Sequence, residues 1–114
     1  MNNFIVIVRE PDGRTEPHSP EEIQQHQQHW KAWFEKWGPT GKFAGGSALS
    51  LNGNIVKGNP ATIIPGPHQT GLEIIGGYLL LNADDLAEAT AIAQSLPVFE
   101  FGGYVEVREL QKDN

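Results

Sequence analysis

Phe4-Ile5-Val6-Ile7-Val8 is an unbroken run of β-branched and aromatic residues, closed by Arg9-Glu10-Pro11-Asp12-Gly13, and it predicts a strand running into a turn. Successive side chains of a strand point to opposite faces, so a strand that is apolar at every position needs cover on both of them. Glu73-Ile74-Ile75-Gly76-Gly77-Tyr78-Leu79-Leu80-Leu81 has the same doubly apolar character. Tyr104-Val105-Glu106-Val107-Arg108-Glu109-Leu110 instead alternates, as a half-buried strand does.

Between these strands the signals are helical. Ser19-Pro20-Glu21-Glu22 has the spacing of a capping box with Pro at the first helical position, where its missing N–H costs nothing. At about 100° per residue, Ile23, His26, Gln27, Trp30, Trp33, Phe34 and Trp37 fall on one stripe, with all the Trp residues on the side expected to be buried. Gly38-Pro39 is expected to end the helix, with Gly38 as the residue just past its C-cap. Lys42–Leu49 reads as a strand that bends or bulges at Gly45-Gly46, and Asn52-Gly53 as a hairpin turn leading into Ile55-Val56. The Pro/Gly-rich stretch from Gly58 to Gly71 reads as a functional loop, because Pro65 and Pro67 exclude a central strand. Asn82-Ala83-Asp84-Asp85 opens a second helix whose inward stripe is Leu86, Ala89, Ala93 and Leu96, ending before Pro97.

The order β-α-β-β-α-β is the ferredoxin-like pattern, an α+β fold with one antiparallel sheet and two helices on one face. Helices on one face leave the other face of the doubly apolar strands bare. A second copy of the same sheet is the most economical cover, so a face-to-face homodimer through the open sheet face is expected.

At 114 residues the chain suits one domain, residues 1–114, with one hydrophobic core. Net charge is −6, and all of it lies in the second half: residues 1–57 carry six Lys and Arg against six Asp and Glu, residues 58–114 two against eight. From Gly58 to Val107 there is no Lys or Arg, so a basic stripe able to neutralise phosphates is missing there; neither nucleic acid nor an anionic membrane is an expected partner. The chain has no Cys for a disulfide framework, a thiol nucleophile or a zinc knuckle. No apolar run approaches the roughly 18 residues of a membrane span. Met1-Asn2-Asn3 lacks the basic start of a signal peptide, so a cytoplasmic protein is expected.

Histidine is the side chain that titrates near neutrality without perturbation, which makes His18, His26, His29 and His68 the first candidates for chemistry. His26 lies inside the apolar stripe of the first helix. It either faces a pocket as a general base or ligand contact, or sits at the core edge bonded to a backbone carbonyl. His29 is at the stripe's margin, and His18 precedes the helix cap. His26 and His29 are close enough on a helix to share a metal, and His68 could complete a trio with His26, yet nothing in the spacing requires it, so neither metal nor cofactor is expected. His68 is a candidate for the pocket rim and Glu73, at a strand mouth, for a carboxylate that orients a histidine. Trp30 and Trp33 are either core or a stacking platform for a ligand, and Ser47 and Tyr78, next to the glycine pairs, are further ligand-binding candidates. No nucleophile elbow, phosphate-cradling loop or His-Glu-x-x-His motif is present.

Ser19-Pro20-Glu21-Glu22, His26, Trp30, Ala32-Trp33, Gly41-Lys42, Gly45-Gly46, Leu49, Gly66-Pro67, Glu73, Gly76-Gly77-Tyr78, Asp85-Leu86-Ala87-Glu88-Ala89, Ala93, Pro97, Gly102-Gly103 and Val105-Glu106-Val107-Arg108, in this order and spacing, resemble the YCII-related (DGPF-domain) family. The resemblance runs from about Asn3 to Leu110. It implies a dimeric α+β barrel in a bacterial protein, with small-molecule enzymology through a His/Asp pair and association with sigma factors. The name-giving Asp-Gly-Pro-Phe appears here as Pro65-Gly66-Pro67-His68, so the acidic position is Pro65. The family's following Glu and Lys positions correspond to Thr70 and Leu72, and Glu73 is the retained acid.

Two functions follow. One is an enzyme in which His26, assisted by Glu73 or His68, abstracts a proton from a small aromatic or cyclic substrate stacked on Trp30 or Trp33. The other is a non-catalytic module that binds a small ligand or a protein in the same pocket, having lost the acidic motif residue.

Overall fold

The computed structural model describes residues 1–112. The N-terminal apolar run is the middle of strand β1 (Asn2–Glu10). Helix α1 (Pro20–Trp37), β2 (Phe43–Ala48), β3 (Asn54–Lys57), β4 (Thr62–Pro65), β5 (Ile74–Ala83), helix α2 (Leu86–Ala93) and β6 (Tyr104–Glu109) follow. The four long strands form one antiparallel sheet in the order β2-β5-β1-β6, with both helices packed into one cluster on one face: the ferredoxin-like α+β arrangement. β3 and β4 pair only with each other.

Alternation along the central strands divides their apolar residues between two faces. Phe4 and Val6 of β1 and Leu79, Leu81 and Ala83 of β5 are buried against the helices, as are Ala89, Ile92 and Ala93 of α2. Ile5, Ile7, Tyr78 and Leu80 fall on the opposite register and stay half-buried, with no element of their own chain over them.

The capping box at Ser19 is complete: Glu22 N–H donates to Ser19 Oγ at 3.1 Å, and Ser19 N–H donates to Glu22 Oε1 at 3.0 Å. The helix ends at Trp37, where Gly38-Pro39 was expected to end it, but Gly38 is its C-cap and not the residue past it. Gly38 is right-handed (φ −55°), Pro39 fits the start of a 3-10 turn over Gly38–Thr40, and the left-handed residue is Gly41 (φ 76°). Proline excluded from an α-helix is still compatible with this tighter turn, which carries the reversal three residues onward.

The bulge expected in β2 falls between Phe43 and Gly45. Gly46 has φ 149°, and a Cβ there would stand 2.4 Å from the carbonyl oxygen of Tyr78, so only glycine lets β2 and β5 approach this closely.

The hairpin, by contrast, is not at Asn52-Gly53. Ile55-Val56 pair with Ile64-Ile63, and the reversal lies at residues 58–61. The Asn-Gly step is bypassed because β2 is already committed to β5, and two β-branched pairs across the later turn outweigh it. Four residues of the expected loop are therefore the edge strand β4, a position that tolerates Pro65. The second helix also starts later than its acidic opening, because β5 continues to Ala83 and Asp85 is the N-cap. Leu86, expected to point inward, is 54% exposed at the first turn; Ile92 takes its place in the core.

Candidate functional site

Helix α1 stands off the sheet and leaves a cleft of about 920 Å³ between itself, the β1–β5–β2 face and the turn after α2. This explains why its apolar stripe is incompletely covered: Trp33 is buried, Trp30 and Trp37 are half-buried, and Ile23 and Phe34 are exposed. The aromatic wall of the cleft contains Trp30, Phe34, Phe43 and Phe101. Trp30 stacks on Phe34 with ring centroids 5.6 Å apart.

His26 is on this wall, and its carboxylate partner is one the sequence did not point to. Its Nδ1 lies 2.9 Å from Oε1 of Glu100, and the other oxygen of Glu100 lies 2.6 Å from Nδ1 of His29. Glu100 sits on the 3-10 turn Pro97–Phe101, which buries Pro97 and Val98 and turns the acid toward α1. Partial burial works to raise the Glu100 carboxyl, but the hydrogen bonds from the two imidazoles outweigh it and hold it below its ordinary value. An ionised carboxylate only accepts, so both imidazoles carry their hydrogen on Nδ1. The Nε2 of His26 is then a free lone pair, and it accepts the indole N–H of Trp30 at 3.1 Å. Phe101 completes the cluster between two rings: its centroid is 4.3 Å from His26 and 3.8 Å from His18.

At the cleft's other end the guanidinium of Arg14 grips Glu10. Nε donates to both carboxylate oxygens at 3.0 and 3.1 Å, and Nη2 donates to Oε2 at 2.9 Å and to the carbonyl of Gly76 at 3.1 Å. The hydrogen bonds to Glu10 hold the Arg14 guanidinium above its ordinary pKa.

The other expected site residues lie elsewhere. Glu73 does not reach His26. Its carboxylate accepts the Tyr104 hydroxyl at 2.7 Å and pairs with Arg9 at 3.7 Å, outside the cleft. The reason is register, since Arg9 and Tyr104 share the face of the sheet turned away from the helices. His68 is exposed in the loop after β4 and is not on the cleft wall. Trp33 is core, 5% exposed, with its N–H donated to Ser95 Oγ at 2.9 Å. Ser47 and Tyr78, paired across β2 and β5, are among the residues around the cleft, although Tyr78 shares with Ile7 the register of the opposite sheet face. His26 and His29 come together around a carboxylate, and among the described residues no three side chains gather as metal ligands would. No helix among them is long and apolar enough to cross a membrane.

Neither Glu100 nor the Glu10–Arg14 pair had a local signature. The available hint for Glu100 was its place between Phe99 and Phe101 just after a helix-ending Pro97, an acid in an apolar segment.

Comparison with known proteins agrees with this geometry at the level of the fold. No curated protein matches the sequence. Among solved structures, the chain is similar to 5-chloro-2-hydroxyhydroquinone dehydrochlorinase (TftG) from Burkholderia phenoliruptrix AC1100, in complex with 2,5-dihydroxybenzoquinone. That likeness has a TM-score of 0.55 at 13% identity and covers 97% of this chain and 95% of that one. The model of the YCII-related domain matches residues 4–112, and the chain belongs to the YCII-related family.

Proposed function

We propose that this chain is a small-molecule enzyme of acid–base type, working by proton abstraction in a lyase or isomerase reaction on a small aromatic or cyclic substrate. The observation that carries the reading is the His26–Glu100 pair opening onto an aromatic cleft. Glu100 fixes the imidazole with Nδ1–H toward itself and leaves Nε2 to act as the base, the arrangement by which a carboxylate orients a catalytic histidine. A carbon-bound proton passes to Nε2, its bonding electrons stay on the substrate's ring system, and the imidazolium is balanced by the Glu100 carboxylate. Trp30 occupies Nε2 first, so a substrate ring must displace its N–H before the base is free. That the structural neighbour is a dehydrochlorinase in complex with a benzoquinone fits a ring substrate and a lyase reaction. The absence of an acid at Pro65 is then no loss, because Glu100 supplies the carboxylate.

We read residues 1–114 as one domain of a cytoplasmic, bacterial homodimer, joined through the sheet face that carries Ile5, Ile7, Tyr78 and Leu80. The runner-up, a non-catalytic ligand-binding or protein-interaction module, is favoured by one observation: both ring nitrogens of His26 already have partners.

Deuterium incorporation from D₂O into 1,4-cyclohexanedione distinguishes the two readings. The enzyme catalyses the exchange, and His26→Gln slows it by about 100-fold, the scale of a lost general base. Binding of the dione without catalysed exchange supports the module instead.

A further inference from the structure

The loop between β1 and α1 spends conformational energy to hold one ion pair over the cleft. Gly13 and Arg14 are both left-handed, at φ 62° and 65°, and Arg14 is the one non-glycine residue with positive φ among the described residues. A left-handed conformation is unfavourable for a residue with a Cβ. It turns the Arg14 guanidinium back onto Glu10. The carboxylate of Glu10 in turn lies where a side chain at position 76 would begin: a Cβ on Gly76 would fall within 1.5 Å of Oε2. Gly76 is thus a cradle for a carboxylate, and Arg14 clamps the carboxylate into it while donating to the Gly76 carbonyl.

Three separate features, a strained arginine, a glycine cradle and a bidentate ion pair, converge on fixing Glu10 at the cleft wall. Arg14 gives its Nε and Nη2 hydrogens to Glu10 and the Gly76 carbonyl, which leaves only those on Nη1 for a ligand's carboxylate. The rest of the rim reinforces this. Lys31 faces Glu35 at 4.0 Å, and Asp12 and Glu16, which pair with no cation among the described residues, add negative charge. Backbone hydrogen bonding from Glu16 keeps the Asp12 carboxyl below its ordinary value.

We infer that the Glu10–Arg14 pair seated on Gly76 is the specificity element of the cleft, selecting compact aromatic ligands whose polar end donates hydrogen bonds, ammonium ahead of hydroxyl, over those that end in a carboxylate. The aromatic wall takes the ring and Glu10 accepts from the polar end. This rests on the proposed cleft being the ligand site.

The test uses three indoles that differ at one end, tryptamine, tryptophol and indole-3-propionate, titrated at millimolar concentration against the full chain. Calorimetry and the Trp30 indole N–H resonance report binding. Tryptamine is expected to bind about tenfold more tightly than indole-3-propionate, as a charge-assisted hydrogen bond to a fixed carboxylate implies. Glu10→Gln collapses that ratio to within about threefold while tryptophol is little changed. Gly76→Ala, which fills the cradle, does the same if it folds, and Glu10→Gln alone suffices if it does not. Equal binding of all three indoles, or preference for the propionate, overturns the inference and leaves the cleft reading standing. If none of the three moves Trp30, the cleft reading fails and the inference with it.

Discussion

Nδ1 of His26 and Oε1 of Glu100, 74 positions apart in the chain, meet at 2.9 Å. The same carboxylate receives His29, so one acid fixes the tautomer of two imidazoles. Histidine ring ¹⁵N spectra of the native protein are expected to show both His26 and His29 with hydrogen on Nδ1. In Glu100→Gln the lock is lost and each ring samples both tautomers. Because Glu100 is exposed at the edge of the fold, the substitution should cost no more than about 1 kcal/mol in urea unfolding, as for other exposed charge pairs. Unaltered ring-nitrogen spectra would show that the pair does not persist in solution.

Two tryptophans one turn apart should respond in opposite ways. Trp33→Ala removes a buried ring and its hydrogen bond to the Ser95 hydroxyl, an expected loss of about 3–5 kcal/mol. Trp30→Ala takes away cleft wall, so stability falls by less than half as much while binding of aromatic ligands is lost. Urea midpoints for the two variants, measured beside tryptophol titrations, check the contrast.

Gly45 and Gly46 both have positive φ, 139° and 149°, but a side chain at Gly45 meets open space while one at Gly46 meets the β5 backbone. Gly45→Ala is expected to cost about 1 kcal/mol from conformation alone, and Gly46→Ala at least about twice that because β2 must move. Comparable thermal midpoints for the two variants would argue against the close β2–β5 approach.

Stability should fall on the acid side through several depressed carboxyls. Burial raises Glu100 but its histidine bonds lower it further. Hydrogen bonds from Lys42 and from the Asp84 backbone lower Glu88, and those from Ser19 lower Glu22. A group whose folded value lies below its unfolded value stabilises fully above the unfolded value, 4.5 for Glu, and loses that contribution as pH falls through the folded one. Urea midpoints are therefore expected to be flat from about pH 7 to 5 and to drop below about 4.5. Lys42, raised by its hydrogen bond to Glu88, adds the mirror-image loss only as pH rises past its own elevated value.

Ile7 and Tyr78 face each other across β1 and β5 on the side away from the helices. Replacing Ile7 by Lys places a charge in the middle of that face without touching the core. Sedimentation velocity should find a dimer in the native protein and a folded monomer in Ile7→Lys. A native monomer would refute pairing through this face.

What could be read in advance was whatever local chemistry decides. The doubly apolar Phe4–Val8, the Ser19–Glu22 capping box and the glycine bulge in β2 each report their conformation within a few residues, and together they give the order of the main elements. The errors came where two local signals competed. Asn52-Gly53 is a good turn, but Ile55-Val56 had a better partner in Ile63-Ile64, and the left-handed residue expected at Gly38 falls at Gly41 because Pro39 admitted a 3-10 turn. His26 and Trp30, candidates from their place on the stripe, both border the cleft. Glu100 was not a candidate, because only the docking of the Pro97–Phe101 turn against α1 brings it there. Glu73 was misread because the face a strand-end acid occupies depends on a sheet register that no local motif encodes.

The sheet order has a consequence for synthesis. β1 lies between β5 and β6, so the first strand of this sheet to be synthesised has as its two neighbours the last two strands of the sheet. At about 5–20 residues per second, the apolar Phe4–Val8 segment waits of order ten seconds before its final partner exists. Throughout that interval its backbone edges and both apolar faces are open to other chains. Yield during rapid overexpression should therefore respond more to chaperone supply and growth temperature than to the equilibrium stability of the finished protein.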